Sequence, residues 1–185
     1  MRIISGIFRG KKILQPKDRE TRPLKDLTKE SIFNILKHSN LFEINLEKSN
    51  ILDLFSGVGS FGIECLSRGA ENVTFCENYK DVLILLKKNI ANLNFEKQSN
   101  IISKDIFNID NQDLLNKKFE VIFLDPPYKE KRLKILLQKL IDLKILKRNG
   151  IFIIHRHKNE KDEFPKNFKI LKEKKYGISK IIIGI

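Results

Sequence analysis

Along the chain, short apolar runs alternate with longer segments in which apolar residues recur at helical spacing. The runs are rich in β-branched and aromatic residues, which is typical of buried strands in a parallel sheet. They occupy residues 51–54, 73–76, 100–103, 119–124 and 150–154. Helical spacing marks residues 26–38, with Asp26 or Thr28 as the expected cap, then 80–94 and 131–145, and a fourth helix ends at Arg68 and Gly69. Strands that alternate with helices predict an α/β fold with a doubly wound sheet.

Both ends of the chain depart from this alternation. Residues 2–14 mix short apolar pieces with glycines and cations, so we expect a small β-arm there, followed by a polar linker. Residues 168–176 and 179–184 predict two strands joined near Gly177 as an antiparallel hairpin. The whole pattern predicts a seven-stranded, mostly parallel sheet with this hairpin at its edge. We divide the chain into the arm and linker, residues 1–25, and one domain, residues 26–185.

The net charge of +13 is unevenly distributed. Lys and Arg exceed Asp and Glu by 6 in residues 1–40 and by 11 in residues 129–185, whereas acids exceed cations by 4 in between. Such asymmetry predicts a polyanionic partner held from two sides, although a preference for lysine in an A+T-rich genome gives the same composition. Arg2, Arg9, Lys11 and Lys12 on the arm fit either RNA contact or a solvated edge hairpin protected from aggregation.

No apolar run is long enough to span a membrane, and residues 1–4 lack the apolar stretch of a signal peptide. Cys65 and Cys76 do not have the spacing of metal ligands. We therefore expect a cytoplasmic protein without membrane contact, whose two cysteines are reduced and buried.

A glycine-rich loop joins the first predicted strand to the helix that follows it. Gly57, Gly59 and Gly62 form G-x-G-x-x-G, in which glycine permits a tight turn and the close approach of a ligand. Glu77 at the tip of the second strand is placed to bind a ribose diol, and Asp105 after the third strand can accept a hydrogen bond from an adenine amino group. These residues predict an adenosine-containing cofactor, without separating NAD from S-adenosylmethionine. Glycines that serve only a turn and close packing are the alternative.

Asp125-Pro126-Pro127-Tyr128 directly follows the predicted strand 119–124. Each proline fixes its own φ, lacks an N–H and keeps the residue before it out of the helical region. The segment therefore projects as a stiff loop from the carboxyl end of the strand, where α/β sheets bind ligands. A carboxylate, free carbonyls and an aromatic face together suit a planar group that bears an NH2. A rigid polar turn is the alternative, which the glycine loop on the same sheet disfavours.

Residues 53–59 and 125–128 resemble the S-adenosylmethionine-dependent methyltransferases that modify exocyclic amines. Residues 2–11, 22–34 and 62–70 look more closely like the RsmD family, bacterial 16S rRNA guanine-N2 methyltransferases. The resemblance covers essentially the whole chain, and its N-terminal motif is the specific part. It implies a Rossmann-like methyltransferase fold and a monomeric enzyme that acts on one guanine of 16S rRNA, within the small ribosomal subunit or its assembly intermediate.

The resemblance also implies roles for individual residues, with S-adenosylmethionine as cofactor, S-adenosylhomocysteine as product and no metal. The catalytic residues implied are Asp125, Pro126, Pro127 and Tyr128. The cofactor-binding residues implied are Asp53, Phe55, Ser56, Gly57, Gly59, Glu77, Asn78, Asp105 and Ile106. The RNA-binding residues implied are Arg2, Arg9, Lys11, Lys12 and Arg22.

Several residues depart from the family's usual pattern. Lys29 stands in place of Arg, Leu24 in place of Thr, and Ser56 in place of Ala, while Tyr79 and His155 stand where acids are common. The departures at Tyr79 and His155 concern contacts around the cofactor. His155 and His157 follow the fifth predicted strand in a charged stretch, so we expect them at the surface or facing RNA.

In the reaction that the resemblance implies, Asp125 and the Pro126 carbonyl hold the two N–H groups of the guanine amine, and Tyr128 stacks on the extruded base. Two alternatives stay open. A DNA adenine-N6 methyltransferase is disfavoured because 185 residues leave little room for a target-recognition domain. A non-catalytic RNA-binding assembly factor is disfavoured because both the glycine loop and residues 125–128 are intact.

Overall fold

Seven strands form a single sheet in the computed structural model, which describes residues 1–16, 24–114 and 116–185. The strands are β1 Asn50–Leu54, β2 Asn72–Cys76, β3 Ser99–Ile102, β4 Phe119–Leu124, β5 Leu146–His157, β6 Ile170–Tyr176 and β7 Ser179–Gly184. The helices are α1 Asp26–His38, α2 Ser60–Ser67, α3 Lys80–Asn92 and α4 Leu133–Asp142, with 3-10 turns at Glu96–Gln98 and Ile106–Asn108. Most of the predicted linker, including Arg22, lies outside the described residues.

In space the strands follow the order β3-β2-β1-β4-β5-β7-β6. Strands β1 to β5 pair in parallel, whereas β7 pairs antiparallel with both β5 and β6. This arrangement confirms the predicted mostly parallel sheet with an antiparallel C-terminal hairpin. The parallel core brings the carboxyl ends of β1, β2 and β4 to one edge, which is where the candidate site lies.

Strand β5 is longer than its apolar run predicts. The prediction ended the strand at residue 154, and this is wrong because antiparallel pairing with β7 also takes up the polar residues that follow. In this register His155 lies opposite Ile181, and His157 lies opposite Ser179. Strand pairing therefore carries the two histidines into the sheet rather than into a surface loop.

Helix α1 spans the predicted residues 26–38, but its cap differs from the prediction. Helix α1 begins at Asp26 itself, and Lys25 occupies the cap position without a side-chain hydrogen bond, so the predicted capping by Asp26 or Thr28 is wrong. Asp26 instead places its negative charge in the first turn, where it favours the helix dipole. Helix α3 ends at Asn92, two residues before the predicted end. Helix α4 is shorter than predicted and is followed by Lys144 in a left-handed conformation, with φ of 53°.

The sheet separates two apolar layers. The first layer packs α1, α2, α3 and the N-terminal arm (residues 1–16) against one face, and the second layer packs α4 and the C-terminal segment against the other. In the first layer the ring of Phe61 stacks between Phe33, at a centroid distance of 5.4 Å, and Phe123 at 4.0 Å. Cys65 is buried in the first layer and Cys76 in the second, as reduced thiols whose pKa burial raises.

A buried carboxylate attaches the N-terminal arm to α2. Glu64 Oε2 accepts a hydrogen bond from the Ile4 N–H at 2.7 Å, and Oε1 accepts one from the Ser5 N–H at 2.9 Å. The same carboxylate lies 3.3 Å from Lys29 Nζ, and both side chains are fully buried. Burial lowers the pKa of Lys29, while the charge of Glu64 opposes that shift. The arm is therefore anchored through an ion pair withdrawn from water.

The arm forms the small antiparallel hairpin that the sequence predicts, with one bridge between Arg2 and Lys12. Ile3 and Ile13 insert into the first layer, so the arm shares the core of the domain. The division of the chain after residue 25 stays a prediction. Among residues 1–16, 24–114 and 116–185, no helix combines the length and apolarity needed to cross a bilayer.

Candidate active site

A cavity of about 610 Å³ lies at the ends of β1, β2 and β4, a size within the range of ligand pockets. The predicted residues that line it are Asp53, Phe55, Ser56, Gly57, Glu77, Asn78, Asp105, Asp125, Pro126, Pro127 and Tyr128. Three groups of predicted residues are not brought there: Gly59, Ile106 and the arm cations. The glycine loop after β1 and the Asp-Pro-Pro-Tyr loop after β4 thus border one cavity, as their positions on neighbouring strands require.

The glycine loop turns sharply between β1 and α2. Phe55, Gly57 and Gly59 have left-handed backbones, with φ of 58°, 55° and 86°. A Cβ on Gly59 would lie 2.6 Å from the Leu86 side chain, so this glycine faces the core and not the ligand cavity. A Cβ on Gly62 would lie 2.3 Å from the ring of Phe75, which explains why α2 can pack so closely on β2. These two glycines serve conformation and packing.

Unpartnered polar atoms mark the part of the cavity beneath the glycine loop. Asp53 is 1% exposed, and its Oδ2 accepts a hydrogen bond from the Gly62 N–H at 2.9 Å. Asp53 Oδ1 and the hydroxyls of Ser56 and Ser60 have no hydrogen-bond partner among the described residues. Burial raises the pKa of Asp53 well above its usual value. Buried polar groups normally have partners, so these atoms fit a polar ligand that bonds to them.

Glu77 joins the glycine loop to the start of α3. Its Oε2 accepts from the Gly57 N–H at 2.9 Å, and its Oε1 accepts from the N–H groups of Asn78 and Tyr79, each at 2.9 Å. Each carboxylate oxygen has two lone pairs, so these bonds occupy Oε1 fully and leave Oε2 able to accept one more hydrogen bond. The bonds hold the carboxylate in a single orientation at the tip of β2, the position expected for binding a ribose diol.

At the far wall of the cavity, one predicted residue does not line the cavity, and two residues that were not predicted do. Asp105 Oδ1 accepts a hydrogen bond from the Phe107 N–H at 3.0 Å. The side chain of Ile106 is buried in the second layer and does not line the cavity, so its role in binding a cofactor stays a prediction. Phe107 lines the cavity instead, and the guanidinium carbon of Arg132 lies 3.6 Å from the centre of its ring. The alternation of Asp105, Ile106 and Phe107 was the signal that could have assigned the aromatic residue to the cavity.

Arg156 holds the Asp-Pro-Pro-Tyr loop by its backbone. This side chain is fully buried, and its two terminal nitrogens donate to the carbonyls of Pro127 and Glu130, each at 3.0 Å. Its Nε donates to Asp162 at 2.9 Å. A guanidinium supplies several donors in a fixed plane, which suits a side chain that must bind two carbonyls of one loop. Sequence reasoning missed Arg156 because a charged residue after an apolar run resembles a solvated one.

His155 contacts the carboxylate of Asp125, so its predicted surface position is wrong. His155 is 5% exposed, with Nδ1 at 2.7 Å from Asp125 Oδ1 and Nε2 at 2.9 Å from Ser179 Oγ. His155 is buried because β7 pairs with this part of β5. His157 is half-buried, and its ring lies edge-on to Tyr128 at a centroid distance of 5.1 Å.

Five carboxyl groups of the described residues line the cavity, those of Asp53, Glu77, Asp105, Asp125 and Glu130. A ligand that carries positive charge is favoured beside them, and a planar amine can donate hydrogen bonds to them. Lys129 and Arg132 also line the cavity, and the guanidinium of Arg132 donates to both carboxylate oxygens of Glu130. The arrangement can therefore hold a cationic small molecule next to the rigid acceptors of the Asp-Pro-Pro-Tyr loop.

The described arm cations lie away from the cavity lining. Arg2, Arg9, Lys11 and Lys12 are exposed, and Arg2 lies 3.7 Å from Asp26. None of the four lines the cavity. An exposed ion pair of this kind contributes little to stability and leaves the arginine able to exchange partners.

Comparison with known proteins identifies the relatives of the chain. A family model described as "Conserved hypothetical protein 95" matches residues 1–185. Ribosomal RNA small subunit methyltransferase D of Haemophilus influenzae is 35% identical over 179 residues, which cover 96% of this chain and 90% of that protein. The solved structure of a putative methyltransferase from Escherichia coli has a TM-score of 0.80 and 25% identity, and the match covers 100% of this chain and 96% of that one.

A more distant neighbour shares the fold alone. The Pyrococcus abyssi tRNA (uracil-54, C5)-methyltransferase, solved in complex with S-adenosyl-L-homocysteine, has a TM-score of 0.58 and 19% identity. The match covers 85% of this chain and 38% of that one.

Proposed function

Because this chain belongs to the RsmD family of methyltransferases, we propose that it transfers a methyl group from S-adenosylmethionine to the exocyclic N2 amine of a guanine in 16S rRNA. The observation that carries the proposal is the shared cavity. The unpartnered polar atoms beneath the glycine loop and the carboxylate of Asp125 open into the same space. A methyl donor and an amine acceptor must meet within one such space for direct transfer.

The residues beneath the glycine loop fit S-adenosylmethionine. Asp53 and Ser56 would hold its methionine part together with the backbone of Phe55 and Gly57, while Glu77 and Asn78 would hold the ribose. Asp105 and the backbone of Ile106 would bind the adenine edge, beside the ring of Phe107. Gly59 supports the loop by its left-handed turn. When bound, the cofactor supplies an electrophilic methyl group on a sulfonium.

The Asp-Pro-Pro-Tyr loop would hold the acceptor. The amine of guanine is a poor nucleophile because its lone pair is delocalised into the ring. The carboxylate of Asp125 and the carbonyl of Pro126 would accept hydrogen bonds from its two N–H groups and orient the nitrogen toward the methyl group, while Tyr128 would stack on the extruded base. Positioning and preorganised acceptors supply the acceleration, and the proton can leave the nitrogen after transfer.

The arm cations would bind phosphates around the target nucleotide. Arg2, Arg9, Lys11 and Lys12 stay exposed on a hairpin that the Glu64 carboxylate anchors to the domain, and Arg22 is proposed to join them. Such contacts give affinity that weakens with salt. We propose that the chain works as a monomer in the cytoplasm, on the small ribosomal subunit or an assembly intermediate.

The test is transfer of a tritiated methyl group from S-adenosylmethionine to three acceptors: small subunits that lack the modification, protein-free 16S rRNA and duplex DNA. We expect label in N2-methylguanine, and a fall of about 10²- to 10³-fold for Asp125→Ala, because an acceptor for the amine is removed. Asp81→Ala, exposed at the start of α3, is the matched control.

Other outcomes would contradict the proposal in distinct ways. Label confined to DNA would identify an adenine-N6 or other DNA amine methyltransferase. Tight, salt-sensitive RNA binding without label in any acceptor would identify a non-catalytic assembly factor.

A further inference from the structure

We propose that His155, oriented by Ser179, is the positioning residue that sets the Asp125 carboxylate toward the acceptor amine. The inference rests on the proposed function for the identity of that amine. The two prolines fix only the backbone of the loop, whereas the side-chain torsion of an aspartate carboxylate has a broad energy profile. A rigid loop therefore does not by itself decide where the two oxygens of Asp125 lie, and a further contact must do so.

The geometry around His155 supplies that contact. Nδ1 lies 2.7 Å from Asp125 Oδ1, and Nε2 lies 2.9 Å from Ser179 Oγ. An ionised carboxylate can only accept a hydrogen bond, so Nδ1 carries the hydrogen. In the neutral ring Nε2 is then an acceptor and receives the Ser179 hydroxyl. The three side chains form one chain of hydrogen bonds that defines both the tautomer of the histidine and the plane of the carboxylate.

The sheet fixes where this chain of bonds lies. His155 and Ser179 come from β5 and β7, and in the antiparallel register Ser179 lies opposite His157, one diagonal step from His155. His155 is 5% exposed and Ser179 is 3% exposed, so water competes little for these bonds. Asp125 retains partial access to the cavity, with its side chain 19% exposed. One oxygen is thus bound on the protein side, and the second is left to accept from the amine.

The experiment compares variants of the full chain under single-turnover conditions with the acceptor that the wild type labels best. His155→Leu keeps the bulk and removes the donor, and we expect the transfer rate to fall about 10- to 100-fold because the acceptor is mispositioned. His155→Asn retains an amide N–H at the position of Nδ1, so we expect it to recover most of that loss. Binding of S-adenosylhomocysteine should change less than about twofold in both, since the ring contacts the acceptor side of the cavity.

The matched control is His38→Leu, an exposed residue at the end of α1 that does not line the cavity. A transfer rate for His155→Leu within about twofold of wild type would overturn the proposal. Equal losses for the Leu and Asn variants, together with weaker S-adenosylhomocysteine binding, would also overturn it and indicate a structural role.

A nitrogen-15 NMR measurement of the histidine tautomer keeps the proposal testable without turnover. We expect the Nδ1–H form for His155 in the wild type and loss of its hydrogen-bonded proton signal in Asp125→Ala. An Nε2–H tautomer would overturn the assignment. If the wild type labels no acceptor but the Nδ1–H signature is present, the proposed function fails while the link between His155 and Asp125 is retained.

Discussion

A proton and the proposed cofactor compete for the carboxylate of Asp53. Burial raises the pKa of its carboxyl, and the charges of Asp125 and Glu77 act in the same direction. A ligand that brings an ammonium group beside it favours the ionised carboxylate instead. Binding must therefore release a proton from those molecules in which the group is protonated. The stability of the unliganded protein depends on pH in the opposite direction to ligand affinity. The folded state favours the protonated form of Asp53, so the contribution of this group to stability is lost as pH rises.

Because the pKa of Asp53 is raised by burial, we expect the affinity for S-adenosylhomocysteine to rise as the pH rises above the usual range of an aspartate, with release of a proton. Isothermal titration calorimetry at one pH in two buffers of different ionisation enthalpy measures that release. Asp53→Asn should remove the pH dependence and the difference between buffers. Wild-type affinity that does not change with pH above the usual range of an aspartate would contradict the assignment of Asp53 to the ligand.

Replacement of Arg156 should lower the stability of the protein, because this fully buried side chain binds the Asp-Pro-Pro-Tyr loop. Arg156→Ala leaves two carbonyls and Asp162 without this partner, so we expect the free energy of unfolding in urea to fall by about 3–5 kcal/mol. Arg156→Lys keeps the charge but cannot bind both carbonyls in one plane, so its loss should be smaller, with a reduced transfer rate. Arg148→Ala, exposed on the same strand, should change stability by less than about 0.5 kcal/mol. A loss for Arg148→Ala equal to that of Arg156→Ala would contradict this account.

At the scale of elements, the buried pair of Lys29 and Glu64 couples α1, α2 and the arm. Glu64→Gln leaves a buried lysine without its counter-charge, so we expect unfolding to become easier by about 3–5 kcal/mol and hydrogen exchange at the amides of Ile4 and Ser5 to quicken. Adding Lys29→Met should restore part of the stability, because the unpaired charge is removed. Urea unfolding of the single and double variants measures the coupling.

Glu96→Gln, exposed in a 3-10 turn, is the control for that series. Additive effects of the Lys29 and Glu64 substitutions would show that the two charges do not depend on one another, contrary to this prediction.

The order of elements followed from sequence because apolar runs and helical periodicity are local signals. The strands and the glycine turn were therefore predictable. The end of β5 was not, because it depends on β7, which lies more than twenty residues further along the chain. The contacts of His155 and Arg156 were missed for the same reason. Apart from Asp162, which lies six residues after Arg156, the partners described above are brought close only by the sheet, so no local pattern distinguishes these buried polar residues from solvated ones.

At the scale of the whole molecule, the exposed cations of the arm should determine the salt dependence of RNA binding. Lys11→Ala with Lys12→Ala should lower the slope of log affinity against log salt by about 1 for each phosphate that the variant no longer neutralises. Filter binding to 16S rRNA over a salt series measures the slope, with Lys97→Ala as the control from the acidic middle of the chain. An unchanged slope in the double variant would exclude the two lysines from phosphate contact and favour their role as protection of an exposed hairpin.

The two buried cysteines can report separately on the unfolding of the two apolar layers. Cys65 lies in the first layer and Cys76 in the second, and burial raises the pKa of both thiols, so an alkylating reagent reacts slowly with the folded chain. Mass spectrometry of protein that is pulse-alkylated at increasing urea concentrations then measures the urea concentration at which each layer opens. Simultaneous labelling is expected if the layers open as one cooperative unit across their shared sheet, whereas labelling of Cys76 first would reveal that the face covered by α4 frays independently.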